Sequence, residues 1–284
     1  MVAVAFSSIM IRLAEEAPAL AISFYRNAIA AVVVVPLAII RHGEEVRALS
    51  RRDWAIGGLA GAMLAAHFGL WVPSLAFTTV AASTVLVTTQ PVWVALIGRA
   101  LGETVRGRAV AGIALSLAGA VVISGGDFGL SPRAAFGDLL ALLGAVAAAA
   151  YFLSGRTLRT RIPLLTYVAI AYTTCAALLA VAMTVSGTPF AGFDADVWLL
   201  FVLMAVVPQF LGHTVFNYLL AEVPASVVAI AVTGEPVGAT LLALAAFGEV
   251  PRWTALVGGA VILIGIYVTI SAESRRREPV APIE

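Results

Sequence analysis

Long apolar runs alternate with short breaks of charged, proline and glycine residues along the whole chain. The runs predict helices near 1–14, 17–40, 54–77, 79–99, 107–125, 135–156, 162–187, 197–220, 224–245 and 252–271. They are continuous and lack the period-two alternation of a barrel strand. A helix crosses the hydrocarbon core with about 20 apolar residues, so this length holds roughly ten spans and no separate soluble domain. Irregular backbone facing lipid would leave its polar groups unsatisfied. The expected fold is therefore all-α and integral to the membrane, with ten transmembrane helices.

Composition strengthens that reading. Hydrophobic residues make up 61% of the 284, charged residues only 12%, and the mean hydropathy is +1.02. A soluble domain of this size has no interior large enough to hide so much apolar surface. The lipid bilayer is the implied solvent, and no nucleotide or nucleic-acid motif stands out. All 17 basic residues are arginine, which with the abundance of Ala, Gly and Val points to a GC-rich bacterial genome and hence an inner membrane. Cys175 is the single cysteine, which excludes an internal disulfide and a cysteine metal cluster. The first apolar stretch, without a basic n-region or small-residue cleavage site, is read as a retained helix.

Charge distribution sets the orientation, because arginines of short loops collect on the cytoplasmic side. With both termini cytoplasmic, that side holds Arg41, Arg47, Arg51, Arg52, Arg99, Arg106, Arg108, Arg156, Arg159, Arg161 and the tail arginines 275–277. The opposite side holds only Arg12, Arg133 and Arg252, and the loop near Asp194 and Asp196 carries none.

Sliding the chain along itself exposes an internal repeat. An offset of 145 carries Pro18 onto Pro163 and Pro91-Val92 onto Pro236-Val237. An offset of 146 carries Gly102-Glu103 onto Gly248-Glu249 and Gly119 onto Gly265, so one inserted residue separates the two registers. The second to fifth spans then fall on the seventh to tenth. Each half, 1–132 and 133–284, holds five spans, and an odd number forces the copies into opposite orientations, the inverted repeat of many secondary transporters. The same mapping carries the start of the sixth span to about ten residues before Met1, so either a few residues precede Met1 or the first helix is truncated.

The segments Thr88-Thr89-Gln90-Pro91-Val92 through Leu101-Gly102-Glu103, and Gly234-Glu235-Pro236-Val237 through Phe247-Gly248-Glu249, resemble the paired EamA domains of the drug/metabolite transporter superfamily. Arg26 also matches a position where such proteins often carry arginine. The resemblance implies a ten-helix fold around a central cavity and export of metabolites, amino acids or drugs, with no cofactor.

Polar groups at membrane depth are expensive unless partnered or facing water, so they nominate a substrate site. Arg26, in the second helix, could meet an anionic substrate group, pair with Glu235, or anchor helix-end carbonyls. Glu235 lies well inside the ninth helix, where a desolvated carboxylate invites a proton or a cation; it could couple protons to transport or simply bond a neighbouring helix. Gln90 is its counterpart in the first half. His67 and Trp71, and likewise Gln209, His213 and Asn217, are spaced by four, which puts each set on one helical face, lining a cavity or joining helices. His67, His213 and Glu235 lack recognisable metal-ligand spacing.

Pro91 and Pro236, read as mid-helix, each remove an amide donor and free the carbonyl four residues earlier, on Val87 and Val232, as suits a hinge beside a substrate site. Glu103 and Glu249 follow a glycine at a helix end and precede Arg106 and Arg252 by three, which predicts caps and local ion pairs. The spacing Gly57-x-x-x-Gly61, with Gly112, Gly258 and Gly259, predicts close helix packing. The expected function is alternating-access transport of a small molecule, possession of a proton as coupling ion included. The rival class, an intramembrane enzyme acting on a lipid or small molecule, would need a polar catalytic cluster that the sequence does not display.

Overall fold

The computed structural model describes residues 2–102, 107–128, 131–222 and 234–274. The described residues are built from helices and short turns. They are α1 (Val2–Leu13), α2 (Ala19–Arg47), α3 (Arg51–Ser74), α4 (Val80–Val87), α5 (Gln90–Ala100), α6 (Gly107–Phe128), α7 (Pro132–Arg159) and α8 (Leu164–Ser186). Next come α9 (Ala195–Met204), a π-helical segment (Ala205–Thr214), α10 (Val215–Glu222), α11 (Glu235–Phe247) and α12 (Trp253–Ser274). Six stretches are long and apolar enough to cross a membrane: α2, α3, Val80–Ala100, α7, α8 and Ala195–Leu219. Four shorter apolar helices accompany them, at Val2–Leu13, Gly107–Ile123, Glu235–Phe247 and Trp253–Thr269.

Local chemistry explains several boundaries. Ser50 opens α3 with a capping box: its hydroxyl accepts from the Asp53 amide at 3.2 Å, and the Asp53 carboxylate accepts from the Ser50 amide at 3.1 Å. Thr79 caps α4 through the Ala82 amide at 3.1 Å, and Ser131 caps α7 ahead of Pro132. At the end of α11, Gly248 takes φ 64°, a left-handed turn that a side chain would oppose.

Two expectations about helix continuity are corrected. The fourth span breaks between Val87 and Gln90, so Pro91 sits in the first turn of α5 rather than in mid-helix. Pro236 likewise sits in the first turn of α11, after Gly234. The first turn is where proline's missing amide is needed least and its fixed φ is already helical, so chain breaks gather there. Val232, Glu103, Arg106 and the tail arginines lie outside the described residues. The eighth span is also irregular: its centre, around Pro208, is a π-helix, a wider turn that shifts every following side chain around the axis.

Packing relies on small residues. The most extensive pairing joins α6 to α12, then α3 to α7 and α2 to α8. A β-carbon added at Gly112 would lie 2.6 Å from the Gly265 carbonyl oxygen, and one at Gly119 would lie 2.6 Å from that of Gly258. The reciprocal additions at Gly265 and Gly258 would meet Gly112 and Gly119 in the same way. Rising numbers on α6 thus meet falling numbers on α12, so the two helices run antiparallel. Their backbones approach this closely because no side chain intervenes. On the outside, Val32, Ile40, Leu59, Leu199 and Leu241 are exposed, as expected where the solvent is acyl chain.

Candidate functional site

Arg26 lies on α2 with none of its surface exposed. Its Nε and Nη2 donate to Oε1 of Gln209 at 3.3 and 3.0 Å, and Nη1 donates to the Ser7 hydroxyl at 3.0 Å. The guanidinium carbon lies 4.1 Å from the ring centre of Phe68, so one face of the cation is covered by an aromatic ring. Gln209 in turn donates to Asn27 Oδ1 at 3.3 Å, and Asn27 donates to the Ser23 carbonyl at 2.9 Å. A buried cation survives at membrane depth only with such partners. The network ties α1, α2, α3 and the π segment into one polar knot.

One side chain bonds back along the π segment. Thr214 donates its hydroxyl hydrogen to the Gln209 carbonyl, five residues back, at 3.0 Å. That leaves its oxygen to accept from Tyr172 at 2.9 Å. The three residues expected on one face have different partners: Gln209 bonds Arg26, His213 lines a cavity, and Asn217 donates to the Tyr151 hydroxyl at 2.7 Å.

Beside this knot is a cavity of about 30 Å³, room for roughly two waters. His67, Trp71, Val87, Thr88 and Gln90 line it from the first half of the chain, and Phe152, His213, Phe216 and Glu235 from the second. The break between α4 and α5 brings Val87, Thr88 and Gln90 to the wall, and the start of α11 brings Glu235. The His67 ring stacks on Trp71, with centroids 5.8 Å apart and planes 11° off parallel. Nδ1 of His67 lies 3.0 Å from the Gly144 carbonyl oxygen, which can only accept. The hydrogen is therefore on Nδ1, and Nε2 carries a lone pair. Trp71 Nε1 is buried with no hydrogen-bond partner.

Among the described residues Glu235 has neither a hydrogen bond nor an ion pair, and the guanidinium of Arg26 does not reach it. Of the residues expected at a substrate site, His67, Trp71, Gln90, His213 and Glu235 meet at this cavity, whereas Arg26, Gln209 and Asn217 stand in the surrounding networks. Sequence reasoning missed Ser7, Asn27, Phe68, Tyr172 and Thr214, which hold Arg26 and the π segment, and Phe152 and Phe216 on the cavity wall. The repeat offset held a signal for one of them, since Phe216 is 145 residues after Trp71.

A further expectation is corrected here. Glu249 does not form the local pair with Arg252; it lies 3.4 Å from Arg12 Nη2, and its other oxygen accepts from the Val80 amide at 2.8 Å. Gly248 has already turned the chain out of α11, so the helical spacing behind the i,i+3 expectation does not apply.

The chain is similar to an uncharacterized transporter of Archaeoglobus fulgidus, at 26% identity over 260 residues, covering 89% of this chain and 88% of the relative. It also shares its fold with a protein of known crystal structure, at a TM-score of 0.65 and 22% identity, over 96% of this chain and 98% of the other. The EamA-like transporter family matches residues 1–125 and, a second time, residues 135–271. The chain belongs to the EamA-like transporter family.

Proposed function

We propose that this membrane transporter is a ten-span secondary carrier that moves a small molecule by alternating access, exporting it across a bacterial inner membrane with both termini in the cytoplasm. The observation that carries the proposal is the cavity itself, whose wall is drawn from both regions matched by the family. A site shared between two halves changes its exposure when the halves rock against each other. At about 30 Å³ it is too small for a metabolite, so binding requires the halves to separate.

Several features support two inverted copies, 1–132 and 133–284. Six long apolar stretches and four shorter apolar helices supply the segments that a ten-pass reading needs. Gln90 and Glu235, and Trp71 and Phe216, are each 145 residues apart, and all four line the one cavity. α6 and α12, equivalent under the 146 offset, run antiparallel through two reciprocal glycine pairs, as copies related by a two-fold axis in the membrane plane would. Pro91 and Pro236, at the two equivalent chain breaks, serve as hinges.

Glu235 is the proposed proton carrier, with Arg26 on α2, His67 on α3 and His213 on the π segment as the charged or titratable side chains around it. Among the described residues it holds no hydrogen bond or ion pair, which leaves the carboxylate able to take up and release a partner. Reconstitution tests the reading: in sealed proteoliposomes a panel of labelled amino acids, organic anions and organic cations is offered under an imposed pH gradient. Accumulation that needs the sealed membrane, and loses its pH dependence in Glu235→Gln, is expected. Turnover of a substrate in detergent would replace the carrier with an enzyme, and unchanged pH-driven flux in Glu235→Gln would remove the proton role.

A further inference from the structure

Two arginines occupy matching places in the two family-matched regions. Arg12 lies in the last turn of α1 and Arg159 in the last turn of α7, each the first helix of its region. The helix ends, Leu13 and Arg159, are 146 residues apart, the offset that also carries Gly119 onto Gly265. Each guanidinium donates to a backbone carbonyl at or just past the end of the third apolar stretch of its region. Arg12 reaches Thr78, in the turn after α3, at 3.2 Å, and Arg159 reaches Asn217, on α10, at 3.2 Å. Each also ties in a further segment. Arg12 pairs at 3.4 Å with Glu249, whose other oxygen accepts from the Val80 amide at 2.8 Å, and Arg159 donates to the Ile162 carbonyl at 2.8 Å.

The two arginines stand at opposite ends of the bundle. Thr78 bonds Asp138 near the start of α7 at 2.8 Å. Arg159 closes the same helix about 30 Å of rise further on, the thickness of a hydrocarbon core. Phe152, on α7 between the two levels, lines the cavity. The same two packed groups meet at both ends: α1 packs on α11 and on the π segment that runs into α10, whereas α3 and α4 pack on α7. Arg12 and Glu249 fasten the first group to the turn between α3 and α4, and Arg159 fastens α7 to α10. Bonds from a charged donor are among the stronger ones, yet at a bundle end water can replace them when the groups part. We infer that Arg12 and Arg159 are the two latches of the transport cycle, released in turn, so that one end opens while the other stays fastened. The inference rests on the alternating-access reading and adds the residues that hold each end. Both latches are made in this structure, in keeping with a cavity too small for cargo.

Cysteine accessibility of the full chain in oriented membrane vesicles tests it. Gln90→Cys, on the cavity wall, is placed in a Cys175→Ser background and labelled with an impermeant maleimide from either face, and the ratio of the two rates is read. Glutamine is too short to reach the carbonyls that Arg12 and Arg159 hold. Arg12→Gln and Arg159→Gln are therefore expected to shift that ratio in opposite directions, each by about threefold or more. Arginines that merely stabilise the fold would change labelling from both faces alike. Shifts in the same direction, or no shift in either variant, overturn the inference. Should a glutamine variant fail to fold, Arg12→Lys and Arg159→Lys, which keep the charge without the planar fork, are read in the same way. Smaller shifts of opposite direction are expected of them, and shifts of one direction or none overturn the inference equally. The two readings fail separately. Labelling from one face only in every variant removes the carrier and its latches together, whereas labelling from both faces that neither arginine biases removes only the latches.

Discussion

Arg12 at the end of α1 and Glu249 in the loop after α11 meet at 3.4 Å, across 237 residues of sequence. The same arginine donates to the Thr78 carbonyl at 3.2 Å, and the same carboxylate accepts from the Val80 amide. One ion pair thus fastens α1, the turn before α4 and the α11–α12 loop at one end of the bundle. Such a contact joins residues of both family-matched regions, and the proposed carrier cycle would have to release it for that end to open.

Its two components separate by substitution. Glu249→Gln removes the charge and keeps an acceptor for Val80, whereas Glu249→Ala removes both. A part-exposed pair contributes up to about 1 kcal/mol, and a charged bond to a backbone amide about 1.5–3 kcal/mol. The expected order of thermal stability in detergent is wild type, then Glu249→Gln, then Glu249→Ala. Adding Arg12→Gln to Glu249→Gln should cost little more, and fully additive losses would contradict a direct pairing.

Arg26 is expected to act first as a clamp. Arg26→Ala leaves Oε1 of Gln209 without its donors inside the protein, at a cost of roughly 3 kcal/mol or more. Arg26→Lys keeps the charge but cannot bridge Gln209 and Ser7 with a planar fork, so it should fall between. Unfolding midpoints of Arg26→Ala, Gln209→Ala and the double variant measure the coupling. Independent effects would mean that the bonds at 3.3 and 3.0 Å carry no stability.

Glycine substitutions should split by position. Gly119→Ala and Gly258→Ala each drive a β-carbon against the partner's backbone, and such overpacking costs about 1–3 kcal/mol. Gly58 on α3 has nothing within 4 Å of an added β-carbon. Gly58→Ala should therefore gain roughly 0.5–1 kcal/mol from helix propensity. Thermal unfolding of the three variants reads the contrast in sign; equal effects at the three sites would contradict the α6–α12 contact.

Much of the architecture was legible because lipid leaves few choices. Apolar length marks a span, and the matching prolines and glycines of the two halves mark the repeat. That same matching put Gln90 opposite Glu235 before any coordinates. What resisted reading were departures from ideal helix. Nothing in the apolar pattern around Pro208 distinguishes a π turn from an α turn, and a spacing of four says nothing of the separate partners that Gln209, His213 and Asn217 take. The partner of Glu249 was hidden for a different reason: a contact with Arg12 depends on how α1 docks, and local spacing carries no information about docking.

Orientation is open to direct labelling. In a Cys175→Ser background, the native thiol being fully buried, Pro189→Cys should react in whole cells with a membrane-impermeant maleimide. Glu44→Cys should react only after the membrane is breached if, as proposed, the arginine-rich loops face the cytoplasm. The reverse pattern would invert the topology and, with it, the direction of export.

Alternating exposure of the shared cavity is tested by a single cysteine at Gln90, in the Cys175→Ser background. Its alkylation rate by an impermeant reagent is followed from each face of oriented membrane vesicles. The account predicts reaction from both faces, with a pH gradient favouring one and disfavouring the other. Reaction from one face only, whatever the gradient, would describe a fixed pocket and contradict a carrier.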